Sequence, residues 1–337
     1  MKLAPIFCDH TVLQANKPIR VFGEGRGTAT VFFDGETRSV CSDGGFWCLE
    51  FSPRTYGGPY TLTATVNGEN TVYEDIYVGE VILLAGQSNI EMKLDKTAFP
   101  KESIEDNPAV RYFVAERFGT EDATTPADGW ISCTKERAGR FSAIGYHLGM
   151  ALSREKNTAV GLIACYRGAS VIESWIPAEI GNREEFYLPP EEKYYSPYVI
   201  TAHNEYGKLY GVRQQSIVPF SLGHVIWYQG ESNTGKGEYK NYAKLLAELI
   251  DCWRKDFLDP RLPFYVVQIA DFDERNDAAW KGIQTAQEKI VEFVDHVSVI
   301  HSADVCETFD IHPPTKDLLG KRIFECIMEK MSCEGGE

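Results

Sequence analysis

The stretch Gly79-Glu-Val-Ile-Leu-Leu-Ala-Gly-Gln-Ser-Asn-Ile-Glu-Met92 decides the fold of this chain. Its near-continuous apolar run, Val81-Ile-Leu-Leu-Ala85, is typical of a strand that is buried on both faces of a parallel sheet. The small and polar residues Gly86-Gln87-Ser88-Asn89 follow at once. Ligands of open α/β sheets bind beyond the carboxyl ends of the strands, so this turn is a candidate functional site.

Four further apolar runs of the same kind lie downstream, at 160–165, 225–228, 264–269 and 297–300. Stretches with apolar residues at helical spacing separate or follow them, at 141–152, 242–253 and 318–327. Strands that alternate with helices indicate a three-layer α/β/α domain with a parallel sheet. We place this domain at 76–337. Each run ends, like the first, in small or polar residues.

Residues 1–75 have a different rhythm, with short alternating runs and turn signals such as Asp34-Gly35 and Asn67-Gly68. This pattern predicts a small β-sandwich or jelly roll. A structural role for it is favoured over carbohydrate binding, because a fold by itself assigns no function.

The charge and the hydropathy of the chain limit its partners. Of the 337 residues 43% are hydrophobic and 25% are charged, and the net charge is -15. Nucleic acids and anionic membrane surfaces both reward clustered Lys and Arg, so we expect neither as a partner. No apolar stretch approaches the ~20 residues that a membrane span needs. The oligomeric state is left open.

The nine cysteines are scattered and form neither a Cys-x-x-Cys pair nor a Cys/His pattern suited to zinc. We therefore expect no metal and no disulfide framework. The N-terminal residues turn polar before the apolar core of an export signal could form. Both observations predict a cytoplasmic location.

Ser88 is the first candidate nucleophile, because it follows a glycine-bearing turn at the end of a buried strand. A hydroxyl nucleophile needs a base, donors for the oxyanion and a backbone that presents it. Position 90 is Ile, so the Gly-x-Ser-x-Gly elbow of the α/β-hydrolases is absent. Many serines in such turns are only helix caps, and Ser88 alone is weak evidence.

The combination of four motifs is much stronger. The stretch 79–92 resembles the nucleophile motif of the SGNH hydrolases, and within them of the sialate O-acetylesterase and acetylxylan esterase relatives. Trp227-Tyr-Gln-Gly-Glu-Ser-Asn233 and Asp310-Ile-His-Pro313 resemble two further motifs of that family, and Phe7–Pro18 is similar to its opening. The resemblance covers nearly the whole chain and implies a flavodoxin-like SGNH domain.

The resemblance also implies roles for individual residues. Ser88 would be the nucleophile and His312 the general base. The backbone N–H groups of Ser88 and Gly168 would donate to the oxyanion. Gln229 is the expected third donor through its side-chain amide, and Asn233 is a weaker candidate.

The residue that orients His312 is left open. In the usual SGNH pattern an acid stands three residues before the histidine, but Phe309 occupies that position here. Three arrangements could fix the imidazole tautomer: the Asp310 side chain, another carboxylate such as Asp304, or a backbone carbonyl. Asp310 and the carbonyl are equally favoured.

A second departure concerns Arg167-Gly168-Ala169-Ser170, where relatives often have two glycines before Thr or Ser. Arg167 is either a substrate contact or a surface charge. Glu231 cannot donate when it is ionised, so bracing of its loop is its favoured role. The polar residues expected around the substrate are Gln87, Asn89, Arg167, Glu231 and Asn233.

The activity that the resemblance implies is hydrolysis of O-acetyl esters of carbohydrates through a serine acyl-enzyme, without a cofactor. The partner would be an acetylated sugar, in the first place a sialic acid. Two alternatives stay open: an esterase for acetylated xylan or another plant polysaccharide, and a carbohydrate-binding protein with an inactive hydrolase domain. Trp175 is expected to pack in the interior rather than to stack on a sugar.

Overall fold

The computed structural model describes residues 1–115, 129–193, 202–275 and 277–334. The strands in these ranges are β1 (Lys2–Leu3), β2 (Val12–Gln14), β3 (Ile19–Phe33), β4 (Glu36–Phe51), β5 (Gly57–Val66), β6 (Glu69–Gly86), β7 (Asn107–Val114), β8 (Ile131–Cys133), β9 (Val160–Tyr166), β10 (His224–Tyr228), β11 (Phe264–Val267) and β12 (Val297–Ile300).

The α-helices of the same ranges are α1 (Ser88–Glu91), α2 (Lys135–Ala138), α3 (Ala143–Lys156), α4 (Ala178–Gly181), α5 (Lys208–Val212), α6 (Tyr239–Asp256), α7 (Ala278–Glu288) and α8 (Asp317–Glu334). Short 3₁₀ turns connect many of them. No helix in the described part of the chain is both long and apolar enough to cross a bilayer.

A parallel sheet forms the centre of the molecule, in the order β7-β9-β6-β10-β11-β12. The short strand β8 pairs antiparallel with β7 at one edge. All five predicted buried runs are strands of this sheet, and the three predicted helical stretches are α3, α6 and α8. The predicted α/β fold with a largely parallel sheet is confirmed.

Helices cover both faces of this sheet. Leu84 of β6 lies against Gly145 of α3, which has no room for a Cβ beside the leucine. Ile226 is the neighbour of Leu84 in register, so Trp227, the next residue, points to the other face. There its ring meets Trp253 of α6 with centroids 5.8 Å apart.

Strand β6 joins the N-terminal β region to the parallel sheet. Its first half pairs antiparallel with β5 across a tight turn, in which Asn67 and Gly68 have φ values of 51° and 88°. Its second half, from Glu80 to Gly86, pairs in parallel with β9 and β10. The proposed boundary at residue 75 stays a prediction, and it falls inside this continuous strand.

Strand β7 was not among the predicted strands, because Arg111 interrupts its apolar pattern. The side chain of Arg111 is buried all the same. Its guanidinium donates to the backbone oxygen of His10 at 2.8 Å and to the carboxylate of Asp75 at 2.7 Å, and it lies 4.6 Å from the ring centre of Tyr77. These contacts replace water around the charge and let the strand enter the sheet.

Trp253 of α6 forms an edge-to-face cluster with Trp175 and Trp227, which agrees with the interior position predicted for Trp175.

We expect Trp253→Ala to lower the free energy of unfolding by about 3–5 kcal/mol, because it opens a large cavity. Urea denaturation followed by far-ultraviolet circular dichroism measures this loss. The control Val291→Ala, at a half-exposed position, should change stability by less than about 0.5 kcal/mol. A loss of under about 1 kcal/mol in Trp253→Ala would contradict the importance of the cluster.

Candidate active site

The turn after β6 presents Ser88 at the carboxyl edge of the parallel sheet. Gly86 ends the strand with a φ of 130°, and a Cβ at this position would lie only 2.0 Å from the backbone oxygen of Tyr228. Only glycine allows this close approach of β6 to β10. The chain then turns, and the short helix α1 begins at Ser88, whose side chain is partly exposed.

The hydroxyl of Ser88 is within proton-transfer distance of His312. The Ser88 Oγ and the His312 Nε2 are 2.8 Å apart, although 224 positions of sequence separate the two residues. Burial lowers the pKa of His312, the nearby Asp310 carboxylate opposes this effect, and the Lys316 ammonium adds to it. A lowered pKa keeps the ring neutral near pH 7, and a neutral Nε2 can accept the serine proton.

None of the three groups expected to orient the His312 ring is hydrogen-bonded to it in the described part of the chain. Asp310 is exposed, and its Oδ1 accepts a 2.8 Å hydrogen bond from the backbone N–H of His312, not from the ring. Asp304 forms a two-pronged ion pair with Arg322. Within the described residues, neither a carboxylate nor a backbone carbonyl is hydrogen-bonded to His312 Nδ1. The conformation of the loop therefore holds the ring.

Gly168 lies beside Ser88. A Cβ on Gly168 would be 3.7 Å from the Cβ of Ser88. The N–H of Gly168 donates to Glu91 Oε2 at 2.6 Å, so a carboxylate occupies the donor expected for the oxyanion. Glu91 must release this N–H before an oxyanion can accept from it. No sequence pattern predicts this contact, which joins the last residue of α1 to the loop after β9.

The loop from Gly168 to Ser170 is held by side chains of distant segments. Asn204 Nδ2 donates to the backbone oxygen of Ala169 at 2.8 Å, and Gln229 Nε2 donates to that of Ser170 at 2.9 Å. Ala169 has a φ of 55°, in the left-handed region. Relatives often have glycine at this point of the motif, and the left-handed backbone explains why.

Gln229 is fully buried, and its amide is already saturated. Nε2 donates to Ser170 and to Asn233 Oδ1, the latter at 2.8 Å, while Oε1 accepts from the hydroxyl of Tyr242 at 2.8 Å. Asn233 is similarly engaged, since its Nδ2 donates to Glu173 at 2.9 Å. The expected role of Gln229 as third oxyanion donor is at odds with these contacts, because both of its N–H groups bind protein oxygens.

Besides Asn233, which is 1% exposed, three more residues expected around the substrate lie in the interior. Gln87, Asn89 and Glu231 are at most 5% exposed. Gln87 is in contact with the backbone of the 230–232 turn, and Asn89 Nδ2 donates to Glu231 Oε1 at 2.6 Å. The polar groups of these residues meet protein partners, so bracing describes them better than substrate contact. Burial raises the pKa of Glu231, and its bond from Asn89 opposes that rise.

Arg167 is partly exposed and directly follows strand β9. Its backbone N–H donates to the oxygen of Gly86 at 3.0 Å, so the residue continues the pairing of β9 with β6. Burial lowers the pKa of its guanidinium, and the charge of Glu91 opposes this shift. The position is compatible with a substrate contact.

Lys316 was missed by the sequence reasoning. It is 1% exposed, and its Nζ donates to Asn89 Oδ1 at 2.7 Å. Burial lowers the pKa of this ammonium to about 8. Its only signal is a position four residues after His312, and nothing in that pattern distinguishes a buried lysine from an exposed one. Within the described residues, no cluster of three or more His, Cys, Asp or Glu side chains has the geometry of a metal site.

Comparisons with known proteins find a matching family model, curated relatives and a similar solved structure. Residues 78–329 match the model of a family described as carbohydrate esterase, sialic acid-specific acetylesterase. The sialate O-acetylesterase of Mus musculus is 24% identical over an alignment of 347 positions, and the match covers 85% of this chain and 63% of that protein. The sialate O-acetylesterase of Homo sapiens is 25% identical over 260 residues, and the match covers 69% of this chain and 48% of that protein. The chain therefore spans about half to two thirds of the length of these relatives.

A solved structure resembles most of the chain. It is that of a carbohydrate acetylesterase from Xanthomonas citri, with a TM-score of 0.79 and 27% sequence identity over 96% of this chain and 73% of that one. The similarity extends through the N-terminal β region as well as the parallel sheet.

The left-handed conformation of Ala169 is a source of strain that glycine would relieve. We expect Ala169→Gly to raise the free energy of unfolding by about 1 kcal/mol, measured by urea denaturation. The matched control is Ala247→Gly inside helix α6, where glycine should destabilise by about 1 kcal/mol. Equal losses in the two variants would show that Ala169 is not strained.

Proposed function

Because the chain belongs to the sialic acid-specific acetylesterase family of carbohydrate esterases, we propose that it hydrolyses O-acetyl esters of carbohydrates, with Ser88 as nucleophile and His312 as general base. The family inferred from the sequence motifs is confirmed. The observation that carries the proposal is the 2.8 Å contact between Ser88 Oγ and His312 Nε2 at the carboxyl edge of the sheet.

The reaction would proceed in two steps. His312 Nε2 takes the proton of Ser88 as Oγ attacks the acetyl carbonyl, and it then gives that proton to the departing sugar hydroxyl. Water then attacks the acetyl-serine while the same ring takes its proton; acetate leaves, and the ring returns that proton to Ser88 Oγ. Both steps need only neutral His312 at the start, which its lowered pKa favours.

The tetrahedral oxyanion would be bound by the backbone N–H groups of Ser88 and Gly168. Donors of this kind contribute on the order of 3 kcal/mol each in comparable sites. The Gly168 N–H becomes available when the carboxylate of Glu91 moves aside. A contribution from Gln229 would require its present bonds to Ser170 and Asn233 to rearrange.

The proposed substrates are acetylated sugars, with acetylated sialic acids first because the family and the curated relatives carry that name. Arg167 is partly exposed and follows the strand next to Ser88, which supports it as a contact for a substrate carboxylate. Acetate release from acetylated sialic acids, acetylated xylan and aryl acetates separates a sialate esterase from a plant-polysaccharide esterase. Sugar binding without acetate release would favour an inactive, carbohydrate-binding protein.

The finer features of the architecture belong to the same proposal. They are the three-layer SGNH arrangement over 76–337, a β-sandwich over 1–75 with a structural role, and a cytoplasmic location. The parallel sheet with helices on both faces supports the first. The antiparallel pairing of β3 with β4 and β5 supports the second, and the nine unpaired cysteines support the third.

Ser88→Ala removes the nucleophile without disturbing the interior. We expect acetate release from aryl and sugar acetates to fall by at least about 10³-fold, with an unchanged circular dichroism spectrum. The control Ser332→Ala, on the exposed side of α8, should keep the activity of the wild type. Substantial turnover by Ser88→Ala would exclude the serine mechanism.

The pH dependence of kcat/KM should report the titration of His312. Because only the neutral ring accepts the proton and its pKa is lowered, we expect the acid limb below the ordinary value for histidine. Asp310→Asn removes a charge that favours the imidazolium, so the limb should move to still lower pH while kcat stays within about tenfold. A far larger loss in kcat would indicate that Asp310 orients the ring, as first considered.

A further inference from the structure

We propose that Lys316 is a positioning residue that keeps His312 seated on Ser88, acting through the side-chain amide of Asn89. The inference rests on the proposed function and deepens it. It starts from a buried chain of polar contacts, Lys316–Asn89–Glu231, which joins three segments that are far apart in sequence.

The amide of Asn89 lies between two opposite charges. Its Oδ1 accepts from Lys316 Nζ at 2.7 Å, and its Nδ2 donates to Glu231 Oε1 at 2.6 Å. An ammonium can only donate, and an ionised carboxylate can only accept. The two charges therefore permit one orientation of the amide and exclude the flipped one.

This orientation aims the second N–H of Asn89 at the base loop. Nδ2 also donates to the backbone oxygen of Ile311, the residue before His312, at 3.0 Å. Asn89 itself directly follows Ser88. One side chain thus fixes the backbone next to the base relative to the backbone next to the nucleophile.

Other contacts close the loop but do not reach the nucleophile. Glu307 accepts from the backbone N–H of Thr315 at 3.2 Å, and Asp310 accepts from that of His312. Both bonds lie within the loop. Since no hydrogen bond to His312 Nδ1 is found in the described part of the chain, the Asn89–Ile311 bond provides the lateral support that a carboxylate gives in an ordinary triad.

Burial of the Lys316 ammonium is unfavourable by itself, and its hydrogen bond and nearby negative charges offset the lost hydration. The ammonium is 1% exposed and lies 5.8 Å from the ring centre of Tyr228. The titratable groups that face it are Cys306, Glu231, Glu307, Asp310 and His312. Replacing Lys316 by an apolar residue removes the donor to Asn89 Oδ1 and the positive charge near Glu231. The amide of Asn89 is then no longer restricted to one orientation.

Lys316→Met is the decisive variant, because it keeps the unbranched shape and removes the charge. We expect kcat for acetate release to fall about 10²-fold with KM changed less than threefold, since a displacement of reacting groups by about 1 Å has effects of this size. The charge of Lys316 disfavours the imidazolium, so its removal should also move the acid limb of kcat/KM to higher pH.

Two comparisons separate positioning from general destabilisation. Lys321→Met, on the exposed surface of helix α8, which begins directly after Lys316, should leave kcat and the pH profile unchanged. In a double-mutant cycle with Asn89→Ala, the double variant should lose little more activity than either single variant, because both remove the same support. If Lys316→Met does not fold, Lys316→Gln serves in its place.

The outcomes are distinct. Lys316→Met with kcat within about threefold of wild type, an unmoved acid limb, or fully additive losses in the cycle would each overturn the inference. The same assay tests the proposed function independently. If wild type releases no acetate, or if Ser88→Ala is as active as wild type, the serine esterase proposal fails before Lys316 enters.

Discussion

The parallel pairing of β6 with β9 and β10 is the constraint on which the site depends. Gly86, Tyr166 and Tyr228 are partners in one register across the three strands. The residues that follow them, Gln87-Ser88, Arg167-Gly168 and Gln229-Gly230, must therefore emerge side by side at one edge of the sheet. A shift of one residue would turn the side chains of a strand to the other face and separate the motifs. This register requires glycine at position 86, because no side chain fits there against the backbone of Tyr228.

Behind this edge the protein places charged and polar groups that are buried and fully engaged. Glu231, Lys316, Asn89 and Gln229 are at most 5% exposed, and each has its hydrogen-bond partner within the protein. Such groups are unfavourable unless they are paired, and once paired they select one arrangement of the loops over others. The partly exposed pair of Ser88 and His312 lies next to this network. Its two members owe their separation of 2.8 Å to contacts made one residue away, at Asn89 and Ile311.

The loop proposed to bind the oxyanion is less ready for the proposed reaction than the Ser88–His312 pair. The Gly168 N–H holds the carboxylate of Glu91, and the neighbouring Ala169 is in a left-handed conformation. A carboxylate at this donor has the same charge that the substrate oxygen acquires in the tetrahedral intermediate. The donor is therefore already directed at an anion, and in the proposed reaction the oxyanion of the intermediate takes the place of the Glu91 carboxylate.

The amino-acid sequence by itself determined five of the six parallel strands, the main helices, the family, and the segments that carry Ser88, Gly168 and His312. These properties lie in local patterns: apolar runs, helical spacing and short motifs. Only the tertiary structure decided what the polar side chains do. It turned Gln229 inward, directed Asp310 to a backbone N–H, buried Arg111 in a strand, and brought Lys316 to Asn89. Their partners stand up to 227 positions away, and hydrogen bonds depend on distances of a few tenths of an ångström, which no local pattern specifies.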